Sequence, residues 1–94
     1  MRFLKMLQTR FDGIKIEAQD VLRRPIISDK DAYDCSTKSD GLIRKINDVY
    51  KEVVDDMGNW SRDHPGCMIL YGLKTNTSDL KHMLTQHVLR VNSE

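Results

Sequence analysis

Leu42-Ile43-Arg44-Lys45-Ile46-Asn47-Asp48-Val49-Tyr50-Lys51-Glu52-Val53-Val54-Asp55-Asp56-Met57-Gly58-Asn59-Trp60 is the stretch that decides the fold. Within it Ile43, Ile46, Tyr50, Val53, Met57 and Trp60 recur at alternating spacings of three and four, flanked by Leu42, Val49 and Val54. That period gathers them on one face of an α-helix, where a half-buried strand would need alternation every second residue. Ser36 and Ser39 each offer a side-chain oxygen to cap the helix start. Downstream, Asp63-His64-Pro65-Gly66 carries paired breakers that stop it. The pattern predicts a helix over residues 38–62.

Working back toward the N-terminus, Leu4, Leu7, Phe11, Ile14, Ala18 and Val21 repeat the same spacing, widened by Phe3, Met6 and Leu22. This predicts a helix over 2–24, ended by Pro25, which lacks an N–H and clashes with a helical residue before it. Residues 25–37 read as a loop, because Asp and Ser dominate after the Ile26-Ile27 pair and both bond their own backbone in turns. Working forward, residues 63–77 read as a turn and a short apolar segment, Cys67–Leu73, bounded by Gly66 and Gly72. Periodicity alone does not separate a buried strand from a short helix there, although a lone strand would lack a pairing partner. Asn76 and Thr77 are candidate caps for a last helix over 78–91, with Leu80, Met83, Leu84, Val88 and Val91 on its apolar face. The expected fold class is all-α: a small antiparallel helical bundle in a single domain, with oligomerisation as a route to completing its core.

Composition narrows the function classes. The chain has 94 residues, and one this short buries only about 60–65% of its unfolded surface, so its core is small. Fifteen Lys and Arg against fourteen Asp and Glu give a net charge of +1, which excludes a polybasic arm or an acidic tail. The near-zero sum hides a division: residues 1–24 carry +3, residues 25–63 carry −3 and residues 64–94 carry +1. A basic first helix and an acidic second segment suit packing against each other, within one chain or between two. Lys5 and Gln8 interrupt the first residues, so they lack the apolar core of a signal peptide, and the longest apolar run is Cys67–Tyr71. An intracellular location, cytoplasmic or nuclear, with reduced thiols and no membrane partner is the expectation.

Chemistry-bearing patterns are sparse. His64, Cys67, His82 and His87 are spaced loosely like the ligands of a small zinc finger, yet His stands where the first Cys belongs and the loop is long. No metal or cofactor is expected, nor a catalytic residue: Cys67 has His64 nearby in sequence but no marked orienting group, and no Gly-rich phosphate loop occurs. Ordinary packing explains the same histidines and thiols. The basic residues of the first helix, Arg2, Lys5, Arg10, Lys15, Arg23 and Arg24, are interrupted by Asp12, Glu17 and Asp20. A small helical nucleic-acid-binding domain, helix-turn-helix-like, is therefore the alternative rather than the main expectation. That main expectation is a non-enzymatic protein–protein interaction or assembly module, an adaptor or complex subunit partnered by itself or by another protein. Its interface would be Phe3, Leu4, Leu7, Phe11 and Ile14 of the first seam with Tyr50, Val53, Met57 and Trp60 of the second, since aromatics dominate interface anchors. The competing explanation is that these side chains fill the chain's own core.

Overall fold

The computed structural model describes residues 2–58 and 65–93, with side chains from Leu4 onward. Every element among them is helical: α1 (Arg2–Arg23), α2 (Asp29–Met57) and α3 (Pro65–Asn92). Each helix packs against both others, most extensively α2 against α3. Leu4, Leu7, Phe11, Ile14, Ala18 and Val21 of α1 are all buried, so the first seam lies where its spacing places it.

The second seam is rotated from its expected centre. The buried line of α2 is Cys35, Ser39, Leu42, Ile46, Val49 and Val53, while Ile43 and Tyr50 are half-buried and Val54 is exposed. Both lines share Ile46 and Val53. The shift arises because Ser39, a polar residue, takes a core position in line with Leu42 and Val49, and α2 begins nine residues before the expected position 38, so Cys35 extends that line. Residues 29–37 are thus helix, which corrects the loop expected over 25–37. Ser28 is the true N-cap: its Oγ accepts from the Asp31 N–H at 3.3 Å, and the Asp31 carboxylate accepts from the Ser28 N–H at 3.2 Å and the Ile27 N–H at 3.1 Å. This reciprocal box satisfies N–H groups that a helix start otherwise leaves unpaired.

Those bonds hold the Asp31 carboxyl below its ordinary value of 3.8, chiefly through the Ile27 N–H and then the Ser28 N–H. A carboxyl depressed in the folded state contributes stability at pH above its unfolded value, and that contribution disappears as pH falls through the folded one. Ser28→Ala is expected to cost roughly 1 kcal/mol in urea unfolding at pH 7. Asp31→Asn should flatten the stability–pH curve below about pH 4, a difference that parallel urea titrations of variant and parent would read out.

The end of the chain is corrected in the same sense. One helix runs from Pro65 through Cys67–Leu73 to Asn92, so residues 65–77 of the expected turn and short apolar segment (63–77) are continuous with the helix expected over 78–91, while 63 and 64 lie outside the described residues. Pro65, expected as a breaker, occupies the first helical position, where a missing N–H is no loss and the fixed φ suits the helix. Asn76 and Thr77 cap nothing. Thr77 is fully buried and its Oγ1 donates to the Lys74 carbonyl at 2.9 Å, so its hydroxyl is satisfied without ending the helix. The buried line of α3 is Gly66, Leu70, Leu73, Thr77, Leu80 and Leu84, with Val88 and Val91 half-buried and Met83 exposed.

Two ion pairs cross from α1 to α2, Arg10–Glu52 at 2.6 Å and Glu17–Lys45 at 3.5 Å. The positions rise along α1 as they fall along α2. Both pairs are well exposed and worth at most ~1 kcal/mol each, so they orient the helices more than they hold them. The chain is long and narrow, 50 × 21 × 16 Å, with a radius of gyration of 15.2 Å against the ~12 Å of a compact chain this size. Its accessible surface of 6723 Å² likewise exceeds the ~5,600 Å² of a typical monomer of this mass.

Candidate interaction surface

The expected interface is largely spent inside the chain. Leu4, Leu7, Phe11, Ile14 and Val53 are buried in the common core, and Met57 packs against that core, half-buried. Tyr50 is half-buried and lines a cleft between α2 and α3 with Asn47, Ser78 and Lys81. Phe3 and Trp60 lie outside the residues whose side chains are described, as does His64. The seven described residues are therefore not assembled on one open surface.

The metal-like spacing is not brought together either. Cys67 and His82 stand fifteen residues apart on one continuous helix, about 22 Å along its axis. Among the described residues no group of three or more His, Cys, Asp or Glu side chains is placed to hold a metal ion. Both cysteines are free thiols, Cys35 buried and Cys67 half-buried. No helix among the described residues is long and apolar enough to cross a membrane. Of the basic residues of α1, Arg10 is engaged with Glu52 and the neighbouring Arg24 with Asp20 at 3.1 Å.

What the structure does expose is the far side of α3. Only four of its 28 residues are Lys, Arg, Asp or Glu, against eight of 22 in α1 and 13 of 29 in α2. On an ideal helix, Met68, Tyr71, Thr75, Ser78, His82, Thr85 and Leu89 form a second line at alternating spacings of three and four, centred away from the buried one, with Ser78 on its edge at the α2–α3 cleft and Thr85 half-buried. Met68 is 81% exposed, Tyr71 61% and Leu89 58%. Thr75 and Thr85 donate their hydroxyls to the carbonyls of Tyr71 and Lys81, at 3.2 and 2.8 Å, one turn back on the same helix. The line is thus uncharged, and its two threonines present methyl groups rather than unpaired hydroxyls. Sequence reasoning missed it because it split α3 in two. Counting Thr77 as a core position would have joined Leu73 to Leu80 and exposed the second line.

A groove of about 610 Å³ lies between α1 and α2, with Ile16, Val21, Gly41 and Leu42 along it and Glu17, Asp20, Lys38 and Lys45 beside them. Its apolar stretch is short and charges of both signs lie beside it, so it is the lesser candidate. Comparison of the chain with protein-family models, with curated proteins and with solved structures finds no match.

Proposed function

We propose that the chain is a non-enzymatic protein–protein interaction or assembly module, an antiparallel three-helix bundle whose working surface is the outer face of α3. The observation that carries this is the uncharged line from Met68 to Leu89 on a chain of which 31% is charged. A helix whose two opposite faces both avoid charge fits a position between two layers, one supplied here by α1 and α2 and the other by a partner. The excess surface of the elongated chain supports the same reading, since one long side of the molecule remains wet. The sequence seams keep a role, but an internal one: they build the scaffold that holds α3 straight.

The test is a paired variant, Met68→Asp with Leu89→Asp, both at exposed positions. It is expected to keep the helical circular dichroism of the parent. Purified from its native source, the parent should carry a bound chain (a second copy or another protein) that the variant loses. Equal recovery with both proteins would overturn the assignment of the surface. Recovery of nucleic acid that dissociates steeply with added salt would overturn the protein-partner reading altogether.

A further inference from the structure

We propose that the occupant of this face is a second copy of the chain, which lays its own α3 parallel to the first with the two outer lines in register. The inference rests on the reading just given and names its partner. The apolar ends of the face disfavour charged partners: burying a Lys or Asp against Met68 or Leu89 would desolvate an ion with nothing to pair it. α1 and α2 carry charge at eight of 22 and 13 of 29 positions, so on a second copy the long uncharged surface that matches the α3 face is its own α3 face.

Charge at the flanks fixes the direction. With Met68, Thr75, His82 and Leu89 as one set of seam positions and Tyr71, Ser78 and Thr85 as the other, Lys74 and Lys81 flank one edge and Asp79 the other, and in a parallel pair Lys81 meets the neutral Gln86. In a parallel pair the flanking residue of one helix meets the residue five further along the other, which sets Lys74 of each copy against Asp79 of its mate, twice. In an antiparallel pair like edges meet, and Asp79 would face its own copy. Lys74 already lies at the seam, its Nζ 5.9 Å from the centre of the Tyr71 ring, and Asp79 is exposed. Thr75 and Thr85 can enter the contact without losing a hydrogen bond, because each is satisfied within its own helix.

The size of the contact sets its strength. From position 68 to 89 the line is about 32 Å long and roughly 10 Å wide, well under the ~800 Å² per partner of a standard stable interface. A reversible dimer with Kd in the micromolar range follows.

The test uses the whole chain with Cys67→Ser, leaving Cys35 buried. Light scattering from about 1 to 200 μM should show the mass rising from 10.9 kDa toward twice that value. Leu89→Cys should form a disulfide-linked dimer under mild oxidation, because parallel in-register helices bring position 89 to its copy. Lys74→Glu and Asp79→Lys should each weaken the dimer roughly tenfold, and the double reversal should restore it to within about threefold. A dimer that lacks the disulfide at position 89, or that the charge reversals leave unchanged, overturns the parallel pairing. A mass of 10.9 kDa throughout overturns the second copy as occupant. In that case, loss of a different bound chain by the Met68→Asp and Leu89→Asp variant would leave the assembly reading standing without this inference.

Discussion

Phe11→Asp is expected to unfold the chain outright, while Tyr71→Asp leaves it folded and monomeric. The two aromatics lie on helices of one molecule, yet they answer to different neighbours. Phe11 is buried in the cluster built from all three helices, with Leu4, Leu7, Ile14, Val49, Val53 and Leu70 among its members. Removing a buried Phe side chain costs roughly 3–5 kcal/mol, and the carboxylate left in its place would be desolvated and unpaired. A chain of this length has only about 5–14 kcal/mol of stability in total, so the sum reaches or exceeds the margin. Far-UV circular dichroism and urea titration at 25 °C would show a loss of cooperative unfolding. Tyr71 is 61% exposed, and a polar substitution there stays within about 0.5 kcal/mol for the folded chain. Its effect should appear in association alone. A Phe11→Asp chain that stays cooperative and loses only its partner would mean that the inner seam, not the outer one, is the interface.

That contrast also marks how much of the molecule was legible in the sequence. The α1 seam was fully legible, because every one of its positions is apolar and Pro25 closes it. Residues 38–57 were legible as helix but not in their rotation; α2 ends at Met57, and positions 59–62 of the expected helix lie outside the described residues. Serine at position 39 carries no apolar signal, so the apolar pattern centres on Ile43 and Tyr50, with Leu42 and Val49 as its flanks. The start of α2 was hidden in Ser28-Asp29-Lys30-Asp31, whose Asp and Ser suit a turn as well as a capping box; the box uses Asp at the position where Glu or Gln is the usual sign. The unity of α3 was hidden by Gly66, Gly72, Asn76 and Thr77, each a breaker or cap by local propensity. Tertiary burial of Leu70, Leu73 and Leu80 on one line overrides them. Of the aromatics expected as interface anchors, Phe11 is buried in the core and Tyr50 is half-buried, and the exposed side of α3 is marked instead by the absence of charge.

The second large effect is a gain. Ser39→Ala is expected to stabilise the chain by about 1–2 kcal/mol, which for a domain of this size raises Tm by roughly 4–16 °C. Ser39 is fully buried on the inner line of α2, and its Oγ has no hydrogen-bond partner. A hydroxyl withdrawn from water without compensation costs on the order of 1–3 kcal/mol, and alanine removes that cost while leaving almost no cavity. Alanine also favours the helix interior over serine by about half a kcal/mol. Thr77, the other fully buried polar side chain of the core, is the internal control. Its Oγ1 is bonded to the Lys74 carbonyl, so Thr77→Ala removes a satisfied hydroxyl and a packed methyl together and should destabilise. Thermal unfolding of the two alanine variants beside the parent separates the cases by sign. If Ser39→Ala also lowers Tm, the hydroxyl has a partner in solution, such as a buried water, and the inner line of α2 is better satisfied than its geometry shows.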